Sequence, residues 1–86
     1  MEVKTIEEDK NVLDIEIYGS DITMCELLRK KLSDDPSVKI ATYSVIHPLL
    51  DGIEMRIETN KGSPSSALET AVKDVQKDIA DFKKQF

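Results

Sequence analysis

The longest regular pattern of apolar positions in the chain lies at its C-terminal end, in residues 63–86. Ser63 and Pro64 open it with a helix-start signal, because serine is a favoured N-cap and proline suits the first helical position. The apolar residues that follow are spaced alternately by four and three positions, as in a helix that packs along one seam. They are Leu68, Val72, Val75, Ile79, Phe82 and Phe86. The pattern predicts one helix of about 34 Å with charged side chains on its other faces.

Two segments alternate strictly between apolar and polar residues, which is the period of a half-buried strand. The apolar side is formed in residues 12–18 by Leu13, Ile15 and Ile17, and in residues 53–59 by Ile53, Met55 and Ile57. Residues 1–7 and 38–46 are predicted to be strands with a weaker pattern. In the second of these, either Ile40 or the set Ala41, Tyr43 and Val45 could face the core. One apolar face per strand predicts a sheet that is covered on one side only.

A shorter helix is predicted after residue 22. Thr23 and Glu26 fit a capping box, with threonine as the N-cap and glutamate at the third helical position. The apolar stripe of this helix contains Met24, Leu27, Leu28 and Leu32. Cys25 lies on the flank of that stripe, so we expect it to be buried and unreactive. The helix should end before Pro36, because a residue that precedes proline disfavours the helical conformation.

These elements predict a single α+β domain over residues 1–86, in the order β-β-α-β-β-α. The expected architecture is a four-stranded, mainly antiparallel sheet with two helices on one face. Strands of about 24 Å are shorter than the predicted C-terminal helix. The distal residues Ile79, Phe82 and Phe86 should therefore extend beyond the sheet and pack against a partner chain.

The charge balance narrows the possible partners. The chain has 86 residues and a net charge of −5, whereas a nucleic-acid-binding domain normally carries a basic patch. The longest basic run, at residues 29–31, closes the first helix, where the helix dipole favours cations. No segment approaches the ~20 apolar residues of a membrane span, and the N-terminus lacks the apolar core of a signal peptide. We therefore expect a cytoplasmic protein that makes no direct contact with nucleic acid.

The residue inventory offers little for catalysis. One histidine and one cysteine cannot form a zinc site within the chain. Cys25 and His47 are conceivable as a nucleophile and its base, but a buried structural cysteine is the favoured interpretation. The neighbouring carboxylates at 7–9 and 34–35 lie in predicted turns, and no phosphate-binding glycine motif occurs. The sequence predicts no catalytic residue, no metal and no cofactor.

Three motifs resemble those of the small alpha-like subunit of archaeal and eukaryotic RNA polymerases, whose archaeal form is subunit L. Residues 19–29 resemble a motif that reads roughly G-E-D-H-T-L-x-N-L-L-R, residues 43–49 resemble Y-x-x-x-H-P-L, and residues 56–68 are similar to R-x-x-T…G…P…A-L. The matching positions include Gly19, Asp21, Thr23, Leu27, Leu28, Arg29, His47, Pro48 and Pro64. Ile22, Met24, Cys25 and Glu26 depart from the family pattern.

The resemblance implies a non-catalytic assembly subunit of DNA-directed RNA polymerase. Such a subunit pairs through its helices with a larger alpha-like subunit, called D in archaea, and the pair forms a platform for the large catalytic subunits. The residues expected at that interface are Leu27, Leu28, Leu68, Val72, Val75, Ile79, Phe82 and Phe86. The motif positions are expected to serve folding and assembly. The alternative that the residues leave open is a free-standing homo-oligomer that binds a small ligand or acts as a minor enzyme.

Overall fold

The computed structural model of the chain describes residues 2–19, 22–47, 49 and 51–85. Its elements are β1 (Glu2–Glu8), β2 (Val12–Tyr18), α1 (Ile22–Ser33), β3 (Val38–His47), β4 (Gly52–Thr59) and α2 (Pro64–Lys84). The strands form one sheet in the order β1-β2-β4-β3, and each neighbouring pair is antiparallel. The predicted fold class and the predicted order of elements are confirmed.

The two central strands, β2 and β4, contribute the buried apolar side chains of the sheet. Their inward side chains are at most 5% exposed, and these are the predicted residues Leu13, Ile15, Ile17, Ile53, Met55 and Ile57. Both helices pack on this side, where they contribute Cys25, Leu28, Leu32, Ala67, Ala71 and Val75 to the same core. Full burial of one large aliphatic side chain stabilises the fold by about 1.5–3 kcal/mol. The helical layer and the inner face of β2 and β4 therefore hold the domain together.

The outer strands of the sheet are less regular. All seven residues of β1 are exposed. In β3, Ala41 and Tyr43 pack partly against the core, whereas Ile40 is 38% exposed on the other face. Ala41 and Tyr43 of the second predicted set thus face the core, whereas Val45 of the same set is 47% exposed. Register shifts interrupt the pairing of both outer strands, and such bulges make a sheet edge a poorer template for another strand.

The start of α1 differs from the prediction. The helix begins at Ile22, so Thr23 lies in its first turn and is not the N-cap. Glu26 points to Arg29 instead, whose Nε and Nη2 donate to the carboxylate at 3.2 and 2.5 Å. A bidentate guanidinium is a stronger partner for a carboxylate than one backbone amide. The capping-box interpretation was therefore wrong, because an arginine three residues later binds the glutamate.

The second helix begins as predicted. Ser63 has extended backbone angles and its side chain accepts a hydrogen bond from the Ser66 amide at 3.3 Å, with Pro64 at the start of the helix. The side of α2 that faces the core consists of Ala67, Ala71 and Val75, because alanine lets a helix approach its neighbours closely. The larger members of the predicted seam lie on the adjoining flank. Every described residue after Ile79 is exposed, so neither the sheet nor α1 covers the distal end of α2.

Candidate partner interface

An apolar groove is open on the helical side of the sheet, between α2 and β1; we call it the α2–β1 groove. Its volume is about 370 Å³. The strands contribute Val3, Ile15 and Ile17, the turn after β2 contributes Gly19, α1 contributes Met24 and Leu28, and α2 contributes Leu68, Val72, Val75 and Gln76. None of these side chains is charged, and one, Gln76, is polar. The groove therefore suits an apolar partner surface.

A second hollow, which we call the distal hollow, lies where α2 passes the outer side of α1. Leu27, Val75, Ile79 and Phe82 form its apolar part, in a volume of about 290 Å³. Phe82 is 63% exposed and Leu27 is 40% exposed. Lys31 and Asp78 close one side with an ion pair of 2.7 Å. One large apolar side chain of α1 and one at the distal end of α2 are thus presented to solvent.

The structure distributes the described members of the predicted interface between these two hollows. The α2–β1 groove contains Leu28, Leu68 and Val72, and the distal hollow contains Leu27, Ile79 and Phe82, while Val75 borders both. Leu28 and Val75 are also buried in the chain's own core. Phe86 lies outside the described residues. That these side chains bind a partner stays a prediction.

Sequence reasoning missed the strand side of this surface. Val3 was not singled out, since β1 shows only weak alternation, and Ile15 and Ile17 were assigned to the core without regard to what covers them. The sequence does not specify the pairing register of β1 with β2. Val3 pairs with Ile17, so it faces the helical side. With Met24, which the sequence placed on the α1 stripe, it completes the groove.

Three of the family-motif positions that the structure describes have a clear local setting. Gly19 has a φ of +78°, a conformation that glycine adopts without strain. Pro64 is fully buried at the start of α2, and Arg29 binds Glu26. Asp21 and Pro48 lie outside the described residues, as does the side chain of His47. Of these positions, Gly19 also lines the α2–β1 groove.

The thiol of Cys25, the one nucleophile considered from the sequence, is not accessible. Cys25 is 0% exposed, so a substrate in solvent cannot reach its thiol. Across the part of the chain that the structure describes, no three histidine, cysteine, aspartate or glutamate side chains converge to hold a metal ion. Neither described helix is long and apolar enough to cross a membrane.

The opposite face of the sheet is charged. Arg56 donates to Glu58 and to Glu7 at 3.2 Å each and lies 3.4 Å from Asp14. The negative charge of Asp14 is the main cause of a raised pKa at Glu54. Arg56 is 39% exposed, and ion pairs at this exposure add about 0–1 kcal/mol to stability. This face carries a solvated ion-pair network, in contrast with the apolar helical side.

Comparison with known proteins places this geometry in a family. Residues 12–85 match the RNA polymerase Rpb3/Rpb11 dimerisation domain. The chain is 37% identical over 83 residues to subunit Rpo11 of DNA-directed RNA polymerase from Sulfurisphaera tokodaii, covering 95% of this chain and 89% of that one. It is 41% identical over 76 residues to Rpo11 from Sulfolobus acidocaldarius, covering 88% and 82%.

A solved structure agrees with these sequence relatives. The crystal structure of DNA-directed RNA polymerase subunit L from Thermoplasma acidophilum matches with a TM-score of 0.87 at 28% identity, covering 99% of this chain and 84% of that one. The range that matches the dimerisation domain, residues 12–85, contains both helices and three of the four strands. It also contains every described residue predicted for the interface. The chain therefore belongs to the RNA polymerase Rpb3/Rpb11 dimerisation-domain family.

Proposed function

We propose that this chain is a non-catalytic assembly subunit of DNA-directed RNA polymerase. It forms a heterodimer with the larger alpha-like subunit, called D in archaea, and the pair is the platform on which the large catalytic subunits assemble in the cytoplasm. Two of the relatives are named as Rpo11 subunits of such polymerases, which supports the assignment to the polymerase. The resemblance in the motifs supports the larger alpha-like subunit as the partner.

The observation that carries the proposal is the open apolar surface of α2. Leu68 and Val72 line the uncharged groove, whereas Ile79 and Phe82 line the distal hollow, where Phe82 is 63% exposed. Exposed apolar surface of this kind marks an interaction site in soluble proteins. A homo-oligomeric ligand-binding protein is the competing proposal, and it requires the same surface to be covered by a second copy.

The test is a titration of the purified chain against the purified larger alpha-like subunit, beside affinity purification of the tagged chain from its native cell. Ile79→Glu should weaken the heterodimer by about tenfold or more, because a charge is placed in an apolar contact. Lys77→Glu is the matched control, since Lys77 is exposed and lines neither the groove nor the hollow. Circular dichroism of each variant checks that the fold is retained.

The two proposals predict different complexes. A polymerase subunit should be recovered with the large catalytic chains, and its dissociation constant for the larger alpha-like subunit should depend on Ile79 and not on Lys77. A chain recovered only with copies of itself would overturn the proposal. So would an affinity for the larger subunit that is equal in both variants.

A further inference from the structure

The α2–β1 groove lies beside the edge strand β1, which is not closely packed by either helix. Here α1 packs on β3, and α2 packs on β2 and β4. The remaining strand, β1, lies at the sheet edge beyond α2, and all seven of its residues are exposed. The groove is therefore open beside α2, over β1.

The inner face of β1 is suited to that slot. Val3 and Thr5 pair with Ile17 and Ile15, whose side chains face the core, so they point to the helical side. The charged residues Glu2 and Lys4 pair with Tyr18 and Glu16, on the polar face of the sheet. Up to the register shift at Ile6, β1 therefore offers the groove an uncharged wall, with Val3 as its apolar residue.

We infer that β1 is a functional wall of the partner site, and that an apolar face of a helix from the larger alpha-like subunit lies in the groove between β1 and α2. This rests on the proposed function and specifies the occupant. The match to the dimerisation domain begins at residue 12, so that match does not include β1. The α2 wall from Leu68 to Val75 rises about 10 Å, which is two turns of an opposing helix.

The chemistry of the groove favours a helix over other occupants. A helix satisfies its own backbone hydrogen bonds, so it can enter an uncharged groove without leaving polar groups unpaired. Anchors spaced by three or four residues would contact Val3 on one side and Val72 on the other. The groove is continuous with the α2 flank through Leu68, Val72 and Val75, so one partner can cover both.

The affinity test compares three variants of the chain in titrations with the purified larger alpha-like subunit. Val3→Glu should weaken the heterodimer by about tenfold or more, because its charge would be enclosed without a partner. Ile6→Glu is the matched control: Ile6 is 53% exposed and Val3 is 52% exposed, on the same strand, but Ile6 does not line the groove. Val72→Glu tests the α2 wall and thereby the proposed function itself.

A thiol footprint reads out contact directly. Cysteine is introduced by Val3→Cys or by Ile6→Cys, and alkylation of this chain is followed by mass spectrometry with and without the larger subunit. Alkylation at position 3 should slow by about tenfold in the heterodimer, and alkylation at position 6 should change by less than about twofold. Native Cys25 is fully buried and adds no background.

Each result separates the inference from the proposal beneath it. If Val72→Glu weakens the heterodimer while Val3→Glu does not, and position 3 stays reactive, then β1 is no part of the site and only this inference fails. If neither charge matters, both proposals fail. Protection of position 3 in the chain alone, rising with its concentration, would show that a second copy fills the groove and would overturn the inference.

Discussion

Glu26 has polar partners on both layers of the domain, in α1 and in the sheet. Its carboxylate accepts hydrogen bonds from Arg29 within α1 and from Tyr43 of β3. The Arg29 hydrogen bonds are the largest cause of a lowered pKa, to about 2, and the Tyr43 hydrogen bond adds to it. One ionised side chain therefore links the first helix to the outer strand beneath it.

This linkage predicts a pH-dependent stability. The pKa of Glu26 is about 2 in the folded chain, against 4.5 without these partners. Ionised Glu26 thus favours the folded state fully above pH 4.5, and this contribution is lost as the pH falls from 4.5 towards 2. In urea titrations, Glu26→Gln should be less stable than the parent at pH 7, and the difference should shrink over that range.

The control for this prediction is Glu69→Gln on α2. Glu69 is 70% exposed and forms a 3.5 Å surface pair with Lys73, and exposed helix pairs contribute about 0.3–0.5 kcal/mol. Its urea midpoint should stay close to that of the parent at every pH. A difference between Glu26→Gln and the parent that is constant from pH 7 to pH 2 would contradict the role given to Glu26.

Cys25 yields a second prediction at this scale. Its thiol is fully buried, as its place on the α1 stripe predicted. A thiol reagent such as an aromatic disulfide should therefore react slowly with the folded chain and rapidly in urea, at a rate that follows global or local opening. Rapid stoichiometric labelling of the folded chain would mean that α1 opens far more readily than its packing suggests.

Among the elements, α2 shows why one pattern predicts a helix but not its orientation. The spacing of Leu68, Val72, Val75 and Ile79 predicted the helix, yet the residues that face the core are Ala67, Ala71 and Val75. An apolar stripe wider than one seam can face inward along either margin. Close packing against α1 and the sheet selects the smaller side chains, and that selection depends on contacts distant in sequence.

In the strands, too, the local pattern predicts some features, and others depend on contacts that are distant in sequence. Strict alternation in β2 and β4 determined their inward faces, because a one-residue slip would expose every apolar side chain. In β3 both faces offer apolar residues, so the sequence left the choice between Ile40 and the Tyr43 set open. The groove wall at Val3 depends on pairing with Ile17, which local sequence does not specify. The sequence also did not predict the Glu26–Arg29 pair, because Glu26 fitted a capping box with Thr23 equally well.

The cap of α2 gives a prediction for an element. Ser63 accepts the Ser66 amide hydrogen bond at the start of the helix, and replacing a serine N-cap by alanine costs about 0.5–2 kcal/mol. Ser63→Ala should lower the free energy of unfolding by about 1 kcal/mol in denaturant titrations. Ser65→Ala, at an exposed position in the first turn, is the matched control and should have little effect. Equal losses in the two variants would exclude a specific cap at Ser63.

At the scale of the whole molecule, core and partner surface lie along a single helix. Val75 is 3% exposed and Ile79 is half-buried, whereas Phe82, one turn further, is 63% exposed. A helix of 21 residues is about 32 Å long, longer than the strands β2 and β4 on which it packs. The apolar seam therefore changes from internal packing to exposed surface within two turns.

This change predicts opposite consequences for two large apolar residues. Phe82→Ala should change the free energy of unfolding of the isolated chain by less than about 0.5 kcal/mol, because the ring is largely in solvent. It should weaken binding to the larger alpha-like subunit by about 2 kcal/mol, or roughly 30-fold, since exposed aromatic rings are typical interface anchors. Ile57→Ala, at a fully buried position in β4, should instead cost about 2–5 kcal/mol of stability.

Measuring both quantities for both variants separates the two roles. Denaturant unfolding of the chain alone reports the core, and titration at a temperature where each variant is folded reports the interface. A loss of several kcal/mol on unfolding of Phe82→Ala, with unchanged affinity for the larger subunit, would make the distal seam part of an internal core. The open end of α2 would then no longer support a partner surface, and the proposed heterodimer would depend on the family relationship alone.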